Sequence, residues 1–158
     1  MLRYRSRLRH TKHVTIDCVI CSIASGDTPA TVVGRSRGAL AFLPLEADSL
    51  APCHLVVATD HHLPDILAAT ADDLAAVMAL MQRAARVMGD VVGAGGVDIL
   101  SANGPASEQS VRHLHLHLVP RWRDDGFTTW PSGRSRHVAS DHAVLDVIEA
   151  LLAVAEHQ

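Results

Sequence analysis

The sequence lacks the features that would place it in a membrane or an oxidising compartment. No run of about 18 apolar residues is present, which argues against a membrane-spanning helix. No apolar stretch follows the basic start of the chain, as a secretory signal requires. Three cysteines, an odd number, argue against a disulfide framework. We therefore expect a cytoplasmic protein without a membrane partner, whose cysteines are buried or bind metal.

Clustered positive charge is lacking beyond the first residues. Residues 1–13 hold five of the 14 Lys and Arg and no acid, which leaves nine basic against 17 acidic side chains and a net charge of −8 in the remainder. Nucleic-acid backbones are bound chiefly through clustered Lys and Arg, so a nucleic-acid groove is not expected. We expect residues 1–13 to form a disordered basic arm and residues 14–158 to form a single domain.

Three histidines alternate with leucines between His113 and Val119. Strict alternation predicts a half-buried β-strand, because successive side chains of a strand point to opposite faces. Leu114, Leu116 and Leu118 would enter the core, and the three imidazoles would share the other face about 7 Å apart. Histidine transfers protons, attacks phosphorus and ligates metals near neutral pH. This face is therefore predicted to hold a phosphate or a metal ion.

The remaining sequence patterns predict a mixed α and β domain. Apolar or β-branched segments predict four further strands, at about 31–33, 38–45, 54–58 and 97–100. A long amphipathic helix is predicted from about Ala71 to Met88, with Thr70 as its N-cap, Asp73 three residues on and Gly89 at its end. A last helix is predicted at about 140–155.

Cys18 and Cys21 form a C-x-x-C pair. Such a pair can supply half of a tetrahedral zinc site, whose other half needs two more thiolates or imidazoles. The candidates for that half are Cys53, His54, His61, His62 and the histidine strand. Burial as two small apolar groups is an alternative. A thioredoxin-like redox pair would open a helix after a strand, and no such context is evident in the sequence.

The loop before the histidine strand is rich in neutral hydrogen-bonding groups. Asn103, Gly104, Gln109 and Ser110 offer amides, an accessible backbone and a hydroxyl that can hold phosphate oxygens. A nearby histidine that attacks phosphorus would form a phosphoramidate, which splits one displacement into two easier ones. Loop and strand together predict a phosphate site with a nucleophile.

Taken together, these motifs resemble the histidine triad (HIT) family of nucleotide hydrolases and transferases. The segment His113 to Val119 matches its His-φ-His-φ-His-φ-φ signature, and the likeness extends from about Cys18 to Arg121. Its context is the C-x-x-C pair, Gly26-Asp-Thr-Pro, Ala41-Phe-Leu, His54-Leu-Val-Val and Gln109-Ser-Val. The resemblance implies an α+β, HIT-like fold with about five antiparallel strands, one long helix and shorter helices. It also implies a homodimer that pairs through the long helix and an edge strand.

The resemblance assigns a role to each candidate residue. It makes His115 the nucleophile that attacks the α-phosphorus of a nucleotide, and water then resolves the nucleotidyl-histidine. His117 would contact the phosphate, and His54 would complete the catalytic cluster. With Asn103 from the donor-rich loop, the predicted substrate-binding residues are Asn103, Gln109, Ser110 and His117. In bacterial members with C-x-x-C, a structural zinc would be held by Cys18, Cys21, His62 and His113.

The resulting hypothesis is an enzyme with metal-independent chemistry that cleaves a nucleoside 5′-monophosphate such as AMP from a small leaving group. Phosphoramidates and dinucleoside polyphosphates are both candidate substrates. One alternative is a zinc hydrolase whose three strand histidines hold a catalytic ion. Another is a non-catalytic nucleotide-binding dimer, because the recognition positions depart from the family pattern. Pro44 replaces Asp, Cys53 and Glu108 replace Gly, and the loop after Pro44 is about two residues longer.

Overall fold

The computed structural model describes residues 18–133, 135–137, 140 and 142–155. The predicted basic arm at residues 1–13 lies outside the described residues. The chain divides after Phe127 into two compact units, which we describe separately. The assignment of residues 14–158 to a single domain stays a prediction.

The first unit contains an antiparallel sheet of five strands in the order β1-β2-β3-β5-β4. The strands are β1 (Val32–Ser36), β2 (Ala39–Phe42), β3 (Leu55–Thr59), β4 (Gly96–Leu100) and β5 (His115–Arg121). Two helices belong to this unit, α1 (Val19–Ser25) and α2 (Ala71–Val92). The predicted α+β class with five antiparallel strands is confirmed, with strand bounds that differ by a few residues.

Helix α2 begins as the sequence predicts. Thr70 Oγ1 accepts a hydrogen bond from the Asp73 N–H at 3.2 Å, and the Asp73 carboxylate accepts one from the Thr70 N–H at 2.9 Å. This reciprocal pair is a capping box, which satisfies backbone donors that have no partner within the helix. The buried face of α2 covers one side of the sheet through Val77, Leu80, Met81 and Met88.

The predicted end of α2 at Met88 is wrong. The helix continues through Gly89 to Val92, and Gly93 ends it in the left-handed conformation at φ +65°. Glycine is favoured there because it has no Cβ to clash with the backbone. Two glycines four residues apart offered alternative ends, and composition alone did not distinguish them.

The opposite side of the sheet packs on α1, a helix that the sequence analysis did not predict. Ile20 and Ile23 of α1 are buried in a cluster with sheet residues Leu40, Phe42, Val56 and Ala58. Gly26 ends α1 at φ +87°, at the start of the turn that the Gly-Asp-Thr-Pro motif predicts. The sheet therefore lies between two helices, and α1 and α2 define its two faces.

Strand β5 lies between β3 and β4. His115 is opposite Ala58 and His117 is opposite Val56. Since Val56 and Ala58 pack toward α1, both histidines lie on the α1 face, while Leu118 lies in the core under α2. The predicted separation of histidines from leucines is confirmed for this part of the strand.

The prediction that His113 belongs to the strand is wrong. Strand β5 begins at His115, and the preceding Leu114 N–H donates at 2.6 Å to the carbonyl of Leu63, outside the sheet. His113 is fully buried, and its ring contacts the end of β3 at Thr59. The chain thus leaves the strand geometry just before the first of the three histidines.

The second unit begins at Thr128 and contains α3 (Ala143–Ala155). This helix lies where the sequence predicts one at about 140–155, and residue 141 is outside the described residues. Four apolar side chains of α3 are exposed, namely Val144, Val147, Ile148 and Leu151. Among the described residues, no helix combines the length and the apolar character needed to cross a membrane.

Candidate active site and metal cluster

Four side chains with metal-binding atoms converge at the start of α1. Their ligand atoms all lie within 4.8 Å of one another, and the residues are Cys18, Cys21, His62 and His113. Cys18 is the N-cap residue of α1 and Cys21 lies in its first turn, so the three-residue spacing places both thiols on one side of the helix. This helix at the C-x-x-C pair was not evident in the sequence.

The distances within this metal cluster fit a tetrahedral zinc ion. His113 Nδ1 lies 3.4 Å from Cys18 Sγ and 3.5 Å from Cys21 Sγ, and His62 Nδ1 lies 3.4 Å from Cys21 Sγ. Zinc bonds of about 2.3 Å to sulfur and about 2.0 Å to nitrogen, at tetrahedral angles, separate the two ligand atoms by about 3.5 Å. Two thiols with two imidazoles also form a donor set that zinc prefers. The residues present therefore fit a zinc ion.

Thr59 orients the buried imidazole of the metal cluster. The Nε2 of His113 lies 2.9 Å from the Thr59 carbonyl oxygen, which can only accept, so Nε2 carries the proton and Nδ1 faces the thiols without one. Such an outer contact fixes the tautomer that a metal requires. Burial lowers the pKa of His113; the hydrogen bond to the Thr59 carbonyl acts in the opposite direction, and the charges of His62, His115 and His61 add to the lowering. The ring is thus held in its neutral, metal-binding form.

The surroundings of Cys21 oppose its ionisation. Burial, followed by the hydrogen bond and the charge of Cys18, raises the pKa of the Cys21 thiol to about 11. A second thiolate beside the first is unfavourable because like charges in a partly buried site repel. A divalent cation removes this conflict, since metal-bound cysteines are deprotonated.

The adjacent histidines His61 and His62 have different surroundings. His62 lies in the metal cluster, whereas His61 contacts two carboxylates, with Nδ1 3.2 Å from Asp60 and Nε2 3.4 Å from Asp73. The structure thus brings together the four residues predicted as zinc ligands and leaves His61 and Cys53 outside that cluster.

A second cluster is formed by His54, His115 and His117 on the α1 face of the sheet. His54 Nε2 lies 2.9 Å from His117 Nδ1, and the rings of His115 and His117 are 5.4 Å apart at their centroids. His54 is 1% exposed and His115 is 9% exposed, so these two rings are shielded from bulk water, and His117 is half-buried. The structure brings together all three residues predicted to be catalytic.

Hydrogen bonds fix where the protons lie in the histidine cluster. The Leu50 N–H donates to His54 Nδ1 at 3.1 Å, so in neutral His54 the proton is on Nε2 and is donated to His117 Nδ1. The remaining proton of His117 is then on its Nε2. His115 Nδ1 donates to the His113 carbonyl at 2.6 Å, which leaves His115 Nε2 with a free lone pair. One ring therefore presents a nucleophile and its neighbour presents a hydrogen-bond donor.

The environment keeps the supporting histidines neutral. Burial, followed by the charges of His115 and His54, lowers the pKa of His117 to about 4. Burial also lowers the pKa of His54. Both rings are therefore uncharged near pH 7, and the proton arrangement described above is the one present at that pH.

The predicted substrate-binding residues Asn103 and Gln109 hold the loop before β5 in place. Gln109 Oε1 accepts from the Gly104 N–H at 2.8 Å, and its Nε2 donates to the carbonyls of Pro64 at 2.7 Å and Val111 at 3.0 Å. Asn103 Oδ1 accepts from the Ile66 N–H at 2.9 Å. Their roles in substrate binding stay predictions.

Two departures from the family pattern coincide with unusual backbone geometry. Cys53 has φ +64° and Glu108 has φ +63°, in the left-handed region that favours glycine. The backbone at both positions thus keeps the conformation that suits the glycine of the family pattern. Glu108 adds an exposed carboxylate to the loop that carries Ser110, which is also exposed.

Sequence reasoning missed residues that support the histidines through the backbone or through a single hydroxyl. The N–H of Leu50 orients His54, and the carbonyl of Thr59 orients His113. The hydroxyl of Ser101 donates to the His115 carbonyl at 3.1 Å. A backbone donor leaves no sequence signal. Ser101 and Thr59 each lie at a strand end beside the site, which was the available signal.

Known proteins are similar to this chain in sequence and in structure. The family profile described as HIT domain matches residues 25–124. The chain is 29% identical over 116 residues to the protein hit of Bacillus subtilis, which covers 73% of this chain and 79% of that protein. It is 25% identical over 119 residues to the adenosine 5′-monophosphoramidase hnt1 of Schizosaccharomyces pombe, which covers 74% and 85% of the two chains. A crystal structure of a HIT family protein from Bacillus anthracis is similar with a TM-score of 0.68 at 27% identity, and the match covers 89% of this chain and 97% of that one.

Proposed function

The chain belongs to the HIT domain family, and we propose that it is a nucleotide hydrolase or transferase that cleaves at the α-phosphate of a nucleoside 5′-phosphate derivative. The observation that carries this proposal is the proton arrangement of the histidine cluster. His115 Nε2 has a free lone pair because its Nδ1 donates to the His113 carbonyl, and His117 presents its Nε2–H beside it. The relative from Schizosaccharomyces pombe, an adenosine 5′-monophosphoramidase, supports AMP derivatives as substrates.

The proposed chemistry has two displacements at phosphorus. The His115 Nε2 lone pair forms a bond to the α-phosphorus while the bond to the leaving group breaks and its electron pair departs with that group. In the second step a water oxygen bonds to phosphorus, the phosphorus–nitrogen bond breaks, the lone pair returns to His115, and one proton is released with AMP. The His117 Nε2–H stabilises charge on a phosphate oxygen in both steps.

The loop before β5 is proposed to position the phosphate. The predicted contacts are the hydroxyl of Ser110 and the loop fixed by Asn103 and Gln109. The bonds from Gln109 to Gly104, Pro64 and Val111 support a rigid loop, and a rigid loop places its donors without loss of entropy on binding.

The metal cluster is proposed to hold a structural zinc ion through Cys18, Cys21, His62 and His113. When bound, zinc would join the start of α1 to the segment before β5, which stabilises the fold around the nucleophile. The proposed chemistry at His115 does not use the ion. The geometry offers no support for a catalytic ion shared by three strand histidines, because the one metal-ligand cluster in the described ranges includes His113 but neither His115 nor His117.

A homodimer is proposed through β4, which is an edge strand of the sheet. The apolar side chains Ile99 on β4 and Met78 on α2 are 46% and 45% exposed. An edge strand that carries an exposed apolar side chain, together with an exposed apolar side chain on the long helix, favours association with a second copy. The proposed location of the enzyme is the cytoplasm.

A non-catalytic nucleotide-binding protein is the second candidate. Glu108 favours it, because a carboxylate in the phosphate loop repels a bound phosphate and the residue sits in a strained conformation. This candidate predicts AMP binding without turnover.

Covalent adenylylation tests the proposal. The protein is mixed with an adenosine 5′-phosphoramidate, quenched within milliseconds and measured by intact mass, alongside the variants His115→Ala and His142→Ala. The exposed His142 is a matched control. We expect one adenylyl adduct on the wild type and on the control and none on His115→Ala. A protein that binds AMP but forms no adduct and releases no AMP from any adenylated substrate would support the binding protein instead.

A further inference from the structure

An open cleft of about 800 Å³ lies between the start of α1 and the loop before β5. Ser110 and Arg112 line one wall, and His62 with the apolar side chains of Val19 and Pro64 line another. The cleft therefore adjoins both the metal cluster and the hydroxyl that we assign to the α-phosphate. A group attached to that phosphate can extend along the cleft.

Arg112 gives this cleft a positive charge. Its side chain is exposed, and within the described ranges no carboxylate pairs with it. No acidic side chain lines the cleft among the described residues, and even Glu108, four positions earlier in the chain, is not part of its wall. A zinc ion with two thiolates and two neutral imidazoles would add no net charge. Arg112 is thus the one Arg, Lys, Asp or Glu among the described residues that line the cleft, in a body with an excess of acidic side chains.

We propose that Arg112 is a specificity-determining residue that selects an anionic leaving group, of which the polyphosphate of a dinucleoside polyphosphate is the chemical class. This inference rests on the proposed function and names the substrate class of the same site. A guanidinium offers paired N–H donors that match phosphate oxygens. It favours substrates in which the group beyond the α-phosphate is a second phosphate.

The proposed selection follows from where charge develops in the first step. When the bond between the α-phosphorus and the bridging oxygen breaks, the electron pair stays on that oxygen and the leaving polyphosphate gains one negative charge. Arg112 stabilises this charge as it forms, which lowers the barrier. An amine that leaves from a phosphoramidate takes up one proton from water, which the proton released in the second step replaces, and it gains no negative charge, so Arg112 has little effect on it.

Initial rates on two substrates test this inference. Diadenosine tetraphosphate supplies an anionic leaving group and adenosine 5′-phosphoramidate supplies a neutral one. We expect Arg112→Ala to lower kcat/KM roughly tenfold for the tetraphosphate and less than about twofold for the phosphoramidate, because one exposed charge contributes modestly in water. Arg112→Lys keeps the charge but loses the paired donors, so its loss on the tetraphosphate is smaller, about threefold. Arg86→Ala removes an exposed arginine from α2 and is the matched control, with no change on either substrate.

Salt provides a second readout that a structural role would not give. The tenfold difference in kcat/KM between wild type and Arg112→Ala on the tetraphosphate becomes smaller at high salt. Dissolved ions limit the range of an exposed charge to about 10 Å or less. Equal losses on both substrates, or no loss on either, would overturn the inference. A wild type that turns over the phosphoramidate but not the tetraphosphate would also overturn it while the proposed function survives. Failure to form an adduct from either substrate would reject the proposed function itself.

Discussion

His54 and His117 share a single proton across a 2.9 Å contact between Nε2 of the first ring and Nδ1 of the second. The direction of donation is fixed because the Leu50 N–H occupies Nδ1 of His54. The outer nitrogen of His117 is thereby protonated at neutral pH without the ring carrying a charge. A neutral donor can release a bound phosphate more readily than a cation does.

The depressed pKa of His117 predicts a loss of stability in acid. The folded pKa is about 4 and the unfolded value is 6.5, so between these values the unfolded chain binds the proton and the folded chain does not. Stability therefore falls as the pH drops from about 6.5 to about 4, and this ring contributes no further change below that. The full shift corresponds to about 3 kcal/mol, and we expect about 2 kcal/mol after allowance for solvent.

Urea unfolding at pH 7, 5.5 and 4.5 measures this effect. His117→Asn removes the ring that resists protonation, so the stability of this variant falls less than that of the wild type between pH 7 and 4.5. The pKa of His54 is also lowered, and its protonation accounts for part of the loss that the variant still shows. The exposed His142→Asn variant retains the wild-type dependence. If His117→Asn and wild type lost stability in parallel, the protonation of His117 would not limit folding in acid.

Loss of a residue of the metal cluster is expected to lower the thermal stability strongly and to change the reaction rate only slightly. Cys21→Ser takes away one of the four ligand atoms, and we expect less than one zinc per chain by elemental mass spectrometry and a decrease in Tm of about 10 °C. The rate of AMP release at 15 °C stays within about threefold of wild type, because the proposed nucleophile is His115 and not the ion. Cys53→Ser, at the exposed cysteine, leaves both metal content and Tm unchanged. Complete loss of activity in a folded, zinc-free Cys21→Ser protein would indicate a catalytic ion.

Truncation of Gln109 tests whether this side chain holds the loop before β5 in position. Gln109→Ala leaves the Gly104 N–H and the Pro64 carbonyl without this partner, while the Val111 carbonyl still accepts from the His113 N–H; the loss costs about 1–3 kcal/mol if the loop keeps its place. We expect faster amide hydrogen exchange in the loop before β5 and a decrease in kcat/KM of at least tenfold. The exposed Gln82→Ala on α2 is the control, with neither change. Unchanged exchange with lowered activity would instead indicate direct contact with substrate.

Two substitutions of Glu108 separate the effect of its charge on AMP binding from the effect of its backbone strain on stability. Glu108→Gln removes only the charge, and we expect the Kd for AMP to fall about threefold because a repulsion is lost. Glu108→Gly shows the same gain in affinity and is also stabilised by about 0.5 kcal/mol, since relief of the left-handed strain slightly exceeds the entropy cost of glycine. Calorimetry and thermal unfolding measure the two effects, with the exposed Glu149→Gln as control. Weaker AMP binding by Glu108→Gln would mean that the carboxylate contributes to recognition.

The two edges of the sheet predict different effects on association. Ile99 on β4 is 46% exposed and Val33 on β1 is 52% exposed, so both tolerate a charged residue in a monomer. If the dimer forms through β4, Ile99→Lys sediments as a monomer while Val33→Lys stays dimeric. The opposite pattern in sedimentation equilibrium would place the interface at β1.

Hydrophobic periodicity predicted the sheet because its side-chain pattern is a direct consequence of burial. The alternation from His115 to Leu118 and the capping residues of α2 are local signals, and the structure has both. Element ends were less predictable. His113 continues the alternation in sequence, yet β3 ends at Thr59, and the ring of His113 takes the Thr59 carbonyl as its partner. Pattern alone does not reveal where a neighbouring strand stops.

The sequence predicted the side chains of the candidate site but not the backbone groups that orient them. The C-x-x-C pair and the histidines are rare enough to be noticed, and the structure gathers them into two clusters. The N–H of Leu50 and the carbonyl of His113 decide which nitrogen of each ring is protonated, but every residue except proline has both groups. Helix α1 was missed because seven residues are too few to show a clear helical period.

The carbonyl that accepts the His115 proton belongs to His113, the residue whose ring lies in the metal cluster. Any amino acid at position 113 brings the same oxygen, because it is part of the main chain. Substitution there removes a ring from the metal cluster and leaves the contact that orients His115, the proposed nucleophile, in the main chain. A lineage that lost the proposed zinc site through this residue would therefore keep the contact that orients His115, although the two features meet in one residue.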